Sequence, residues 1–231
     1  MIREVIERLN RELPATVRLV AVSKFHPFEA IEEAYAAGQR IFAESRPQEL
    51  LSKVQRLEII RAERGEPDYM SDIEWHFIGH LQTNKLKMVL PFVSLVQSVD
   101  STRLLEAINS WGTANGKTIS VLLEPHVAAE ETKQGFDPAE ILDILDHASD
   151  YPAIRFKGIM GMATYTDDEE VVKADFAAIR GIYDKARSYF PDMASDFTEL
   201  SIGMSDDYPI AIEYGSTMVR IGSMIFGSRG N

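Results

Sequence analysis

The chain has 231 residues, 45% of them hydrophobic and 26% charged, with a formal net charge of −12 and no cysteine. This composition excludes a disordered or fibrous chain, disulfides and thiolate chemistry, and leaves any zinc to carboxylates and the five histidines. The acidic balance repels phosphate backbones at long range, which argues against a general nucleic-acid binder; a phosphate must be caught locally.

The opening segment, MIREVIERLNRELP, reads as an amphipathic helix with Ile2, Val5, Ile6 and Leu9 on one stripe, and it lacks the apolar run of a signal peptide. No later stretch approaches the roughly 20 apolar residues of a membrane span, so no membrane partner and a cytoplasmic location are expected. From residue 17 onward, short β-branched runs alternate with helical periodicity. Eight strands are predicted, at 17–24, 40–44, 74–79, 94–99, 117–124, 155–163, 197–203 and 218–227. Between them lie stripes at helical spacing: Leu50, Val54 and Leu57; Ile141, Leu145 and Ala148; Val172, Phe176, Ile179 and Tyr183. Asp137-Pro138-Ala139-Glu140 combines an N-cap, a first-turn proline and a capping-box glutamate, and Asp100-Ser101 opens a helix in a similar way. Residues 61–71 read as a polar loop.

Eight βα units could form an open doubly wound sheet, but no glycine-rich dinucleotide fingerprint follows the first strand, where Ser23-Lys24-Phe25-His26-Pro27 stands instead. A closed (β/α)8 TIM barrel is the better fit, and its typical length of about 250 residues matches a single domain over residues 1–231. The N-terminal helix is expected to cap the barrel's bottom.

In such barrels the working groups lie at the C-terminal ends of the strands. Lys24 ends the run Leu19-Val20-Ala21-Val22-Ser23, where partial desolvation lowers a lysine's pKa and leaves an amine able to attack an aldehyde. A lysine snorkelling at a strand end is the plainer reading of that run by itself. The last quarter of the chain adds weight to the first reading. Ser201-Ile202-Gly203-Met204-Ser205 leaves the seventh strand toward a helix, and Arg220-Ile221-Gly222-Ser223 makes a second small-residue turn. Loops after strands seven and eight are the usual phosphate cradle of this fold. A phosphorylated ligand facing a strand-end lysine leaves three candidates: a Schiff-base aldolase, a proton-transfer isomerase and a pyridoxal phosphate protein.

Several strings then resemble the pyridoxal phosphate homeostasis proteins: Val20 to Lys24, Phe42-Ala43-Glu44-Ser45, the motif from His76 to Lys85, Gly158 to Ala163, Leu200 to Ser205, and Glu213 through Gly227. The resemblance spans nearly the whole chain, and the His76 and Gly215–Gly227 motifs are its most specific parts. It implies a barrel akin to the N-terminal domain of alanine racemases, binding pyridoxal 5'-phosphate as a Schiff base on Lys24. It also implies a role as cofactor carrier or buffer, without established turnover. By the same resemblance Ser201, Gly222 and Ser223 hold the phosphate with Met204 and Ser205 nearby, Arg220 faces the pyridine nitrogen, and His80 lines the mouth. Ser45 stands where the family often has asparagine, which shortens a polar side chain beside the ring. Pyridoxal phosphate-dependent apoenzymes are the implied recipients, and the acidic surface suits a monomer.

A guanidinium opposite the pyridine nitrogen can only donate, so that nitrogen stays unprotonated and the ring is a poor electron sink. Racemisation would need a base on each face of the ring. The chain's end at Asn231, four residues past Gly227, is expected to leave no room for the added β domain that brings the second base in alanine racemases. A small amino-acid racemase is the alternative function. Tyr165 is the tyrosine best placed to substitute, though loop packing is its simpler role. His76 and His80, four apart on a strand, do not form a helical metal pair, and no metal is expected.

Overall fold

The computed structural model describes residues 1–127 and 135–227. Asn231, the residue counted against an added domain, lies outside them. The described chain runs α1 (Ile2–Glu12), β1 (Arg18–Val22), α2 (Phe28–Ala36), β2 (Ile41–Glu44), α3 (Pro47–Arg64), β3 (Glu74–Phe77), α4 (Leu86–Val89), β4 (Leu95–Val99), α5 (Thr102–Asn115) and β5 (Ile119–Leu123). It continues with α6 (Pro138–Asp146), β6 (Ile154–Met160), α7 (Glu169–Tyr189), β7 (Glu199–Ser201), α8 (Tyr208–Glu213), β8 (Met218–Ile221) and α9 (Ser223–Phe226). All eight strands pair in parallel and in chain order, and β8 closes on β1 with Val20 beside Arg220 and Ala21 beside Ile221. The TIM barrel read from the βαβ rhythm is the observed fold.

Two apolar layers arise from the period-two alternation of strand side chains. Val20, Val22, Ile41, Ala43, Leu95, Leu122, Met160 and Met218 pack together inside the barrel. Residues of opposite parity, such as Leu19, Phe42, Phe77, Val96 and Val219, join the helices in the outer core. The predicted cap at α6 forms as read: Asp137 Oδ1 accepts from the Ala139 N–H at 2.8 Å, and Glu140 Oε2 accepts from the Asp137 N–H at 2.8 Å.

Three expectations need correction. Six of the eight strands stop short of the strings that suggested them, because chain that has passed the barrel rim turns to meet the next helix. The clearest case is the eighth: it ends at Ile221, and the Ile225 and Phe226 N–H groups both return to the Gly222 carbonyl at 2.9 Å, making a helical turn of 223–226. Residues 61–64 belong to α3, which ends at Gly65 in the left-handed conformation (φ 67°). Finally, α1 does not lie across the bottom. It packs between α2 and α9 with Ile6 and Leu9 fully buried. A single turn is too short to cover β8, and α1 supplies the missing outer helix.

Gly158 marks the tightest backbone approach between strands. It sits at φ 150° beside a register shift, and a Cβ there would lie 1.8 Å from the Glu199 carbonyl oxygen on β7. Gly158→Ala is expected to cost about 3 kcal/mol or more. Gly38→Ala, at φ 98° but with open space around it, should cost only the roughly 1–2 kcal/mol of left-handed strain. Urea midpoints at unchanged slope measure both.

Candidate functional site

The mouth is built from the segments that leave the strands at the rim. Along β1 the interior parity is Val20 then Val22, and two residues further on Lys24 stands at the rim, where it is half-buried. The chain then turns sharply. Phe25 takes φ 69°, a left-handed conformation costly for a residue with a Cβ, and the His26 N–H closes the turn on the Ser23 carbonyl at 3.1 Å. Behind the turn, Lys53 of α3 is buried with its ammonium 2.8 Å from the Ser23 carbonyl, 2.6 Å from Glu44 and 3.1 Å from Glu49. Burial raises the fully enclosed Glu44 carboxyl above its ordinary value, against the opposing pull of Lys53 and the Ser23 hydroxyl.

Opposite this turn the loops after β7 and β8 converge. The Ser223 hydroxyl lies 3.1 Å from that of Ser205. Gly222 runs so close to the end of β1 that a Cβ would sit 3.1 Å from the Val22 carbonyl oxygen and 3.3 Å from the Val22 Cβ. Gly203, at φ 96°, lets the preceding loop fold onto α8, where a Cβ would meet that of Ala211 at 2.6 Å. The Ser223 and Met224 N–H groups open this turn, where a helix has no intrahelical acceptor for them. These loops form a concave turn of small residues whose wall is the strand that carries Lys24.

Ser201 ends β7 and Met204 follows it. Ser201 is fully buried inside the barrel, its hydroxyl donating to Gln97 Oε1 at 2.7 Å and accepting from Arg220 Nη1 at 2.8 Å. Through that bond it supports Arg220. Met204 exposes its side chain, and its N–H donates to Asp207 Oδ1 at 2.6 Å. Ser205, Gly222 and Ser223 are the members of the expected phosphate set that the fold brings together.

Arg220 is buried and held by carbonyls: Nη1 donates to Ser201 O at 2.7 Å and Nη2 to Gly161 O at 2.9 Å. Burial pushes its guanidinium down to about 10, so it stays charged at neutral pH. Below it the polar chain continues from Ser201 through Gln97 to His76 Nδ1, 2.8 Å from Gln97 Nε2. Desolvation pushes His76 down to about 3 and keeps it neutral.

The far wall carries His80, Asp100 and Glu124. His80 Nδ1 lies 2.9 Å from Asp100 Oδ2, and both residues line a cavity of about 510 Å³ with Gln82, Asn84 and Arg103. Ser45 follows β2, and Gly79 presses against its backbone, where a Cβ would lie 2.0 Å from the Ser45 carbonyl oxygen. The loops bearing Ser45 and His80 are thereby locked together. Glu124 was not singled out from the sequence, although it ends Val121-Leu122-Leu123 as Lys24 ends its own strand, and the same strand-end signal would have found it. Burial, reinforced by Asp100 and opposed by Arg220 and His80, pushes its carboxyl up to about 7. Asp100, read only as a helix opener, is the partner of His80. Tyr165 is 93% exposed, so it does not pack in its loop.

A parallel barrel with a lysine after strand one, converging small-residue loops after strands seven and eight and a buried arginine on strand eight defines a class. The model for the alanine racemase N-terminal domain matches residues 1–230, and the chain belongs to that family. Within it, the relatives are pyridoxal phosphate homeostasis proteins. The one from Pasteurella multocida is 35% identical over 99% of this chain and 93% of its own length, and the human one is 36% identical over 99% and 82%. The solved structure of PipY from Synechococcus elongatus with pyridoxal phosphate bound superposes with a TM-score of 0.86 at 34% identity, covering 98% of this chain and all of that one. Alanine racemase from Clostridium difficile shares the fold at a TM-score of 0.71 and 16% identity over 57% of its length.

Glu124 provides a test of the mouth's electrostatics. In the unfolded chain it ionises near its ordinary 4.5, in the folded protein only near 7. Its contribution to stability is therefore complete below about pH 4.5 and lost as the pH rises through about 7. Glu124→Gln is expected to raise stability by about 2 kcal/mol near pH 8 and to change it little near pH 4.5, as read from urea unfolding at the two pH values.

Proposed function

We propose that this protein binds pyridoxal 5'-phosphate and acts in its intracellular homeostasis, as a carrier or buffer of the cofactor. The observation that carries the reading is the meeting of two half-sites: the Ser205 and Ser223 hydroxyls and the Gly222 backbone pack against the end of the strand that presents Lys24. The donor set fits a phosphate monoester, with two hydroxyls and the free N–H groups of a helical turn at one end and an amine at the other. When bound, the cofactor supplies an aldehyde to amines and an electron-withdrawing pyridine ring. Lys24 is the amine that holds it as a Schiff base. Ser205, Gly222 and Ser223 bind the phosphate, and Arg220 meets the ring nitrogen.

Arg220 also argues for carriage over turnover. Fixed on two carbonyls and charged at neutral pH, it donates to the ring nitrogen and cannot protonate it, which leaves the ring a weak electron sink. The relatives' names agree with a homeostatic role. We place the protein in the cytoplasm as a monomer that passes cofactor to pyridoxal phosphate-dependent apoenzymes, away from nucleic acid and membrane. The −12 charge supports this placement. A small amino-acid racemase is the competing reading, and Glu124, ionising near neutrality at the mouth, is the observation in its favour. Solvent exchange of the substrate α-proton across a panel of amino acids decides between them; its absence removes the racemase.

Reduction of the pyridoxal phosphate-loaded protein with borohydride, followed by peptide mass mapping, should place the adduct on Lys24, and Lys24→Ala should abolish it. Schiff-base absorbance surviving unchanged in Lys24→Ala would overturn the assignment. Ser205→Ala combined with Ser223→Ala should weaken binding by about 10- to 100-fold, the loss of one to two charge-assisted hydrogen bonds, measured by titrating that absorbance.

A further inference from the structure

We infer that Lys53, Glu49 and Glu44 form a buried clamp whose task is to fix the backbone on both sides of Lys24, making them positioning residues for its amine. The inference rests on the proposed role of Lys24. Three main-chain polar groups flanking that residue are tied down. The Ser23 N–H donates to the Ala43 carbonyl at 3.1 Å, and the Ser23 carbonyl accepts from Lys53 Nζ at 2.8 Å and from the His26 N–H at 3.1 Å. The Ser23 hydroxyl donates to Glu44 Oε1 at 2.6 Å, and the Phe25 N–H donates to Glu49 Oε1 at 2.5 Å. Lys53 joins the two halves, because its ammonium also contacts both carboxylates, at 2.6 Å and 3.1 Å. One side chain on α3 thus ties the ends of β1 and β2 to the turn that comes after Lys24.

Stability alone does not account for this arrangement. A buried lysine–glutamate pair gains little over apolar packing of the same volume, because desolvation offsets the Coulomb attraction. Here Lys53 is 7% exposed, Glu44 is fully enclosed, and Glu44 Oε2 has no hydrogen-bond partner. Phe25 adds a second cost, since glycine would take its φ of 69° without strain. Strain by itself marks no site: Met70 is also left-handed, at φ 53°, with its carbonyl held by Arg61. At Phe25, however, the strained residue adjoins the expected functional lysine. The Glu49 carboxylate holds its N–H, and the Arg46 guanidinium lies 4.5 Å over its ring. Strain held in place on several sides is what an amine on a long flexible stem requires if it is to meet a carbon at one fixed position.

The test uses the full chain and pyridoxal 5'-phosphate, with three variants: Glu49→Gln, Lys53→Met and Phe25→Gly. Four quantities are read: the rate of appearance of the borohydride-trappable adduct on Lys24, the dissociation constant, the pH midpoint of the Schiff-base absorbance, and the thermal midpoint of the ligand-free protein. Glu49→Gln and Lys53→Met should form the adduct at least tenfold more slowly, bind at least tenfold more weakly and shift the pH midpoint. Phe25→Gly should match or exceed the wild-type thermal midpoint and still lose adduct rate by a similar factor, a combination that a purely structural clamp does not produce. If Lys53→Met does not fold, the other two variants decide. Wild-type protein that traps no adduct on Lys24 overturns the proposed function. Wild-type protein that traps it, with Glu49→Gln and Phe25→Gly within twofold in rate and affinity, overturns the clamp.

Discussion

The pairing of β8 with β1 is the constraint on which the site depends. Four residues of β1 register with four of β8, from Arg18 beside Met218 to Ala21 beside Ile221. That seam joins the two ends of the barrel's chain, a closure whose entropic cost the other seven pairings must already have met. It delivers Lys24 and Gly222 to the same stretch of rim. Gly222 is the consequence at atomic scale, since any Cβ there would crowd the Val22 carbonyl oxygen and push the cradle away from the strand bearing the amine. The separation of amine and anion site is therefore set by strand register, the stiffest ruler the fold has.

Inside the barrel the same register stacks a polar chain where apolar residues would pack more cheaply. Arg220, Ser201, Gln97 and His76 succeed one another through hydrogen bonds of 2.7–2.8 Å, flanked by Met218 and Leu95. Burying a guanidinium with no direct carboxylate partner is costly unless its donors are met, and here two carbonyls and a hydroxyl meet them. His76 takes no proton at neutral pH, so the chain accommodates one charge and not two. The result is an arginine whose head cannot swing, which suits a group meant to meet one atom of a rigid ring.

Those parts of the molecule governed by local pattern were legible in the sequence. Eight apolar runs mapped onto eight strands, and the Asp137 capping box formed as read, because hydrophobic periodicity and cap chemistry act within a few residues. Lys24 and the glycine-serine turns were legible as strand-end features. What escaped depends on partners distant in the chain. Whether Ser201 points up to the rim or down to Gln97 is decided by a residue on β4, more than a hundred positions away. The place of α1 depends on the brevity of α9, and Glu124 gains its character only when Asp100 is brought beside it. The clamp is hidden for the same reason: Lys53 falls on a helix as an ordinary cation, and nothing local reveals that it ends under Ser23.

The overall charge of −12 opposes the entry of a phosphorylated ligand, yet that field is largely screened beyond about 8 Å at physiological ionic strength. Close in, the balance belongs to individual groups. Arg220 favours an anion, while Asp100, held 2.9 Å from His80, and Glu124 oppose it. Because Glu124 changes charge near neutrality, the opposing side of that balance strengthens as the pH rises, whereas the hydroxyls and N–H groups of the cradle do not titrate. In the proposed function, retention of the phosphate rests on neutral donors of fixed geometry, and the charge of the wall facing them varies with pH through Glu124.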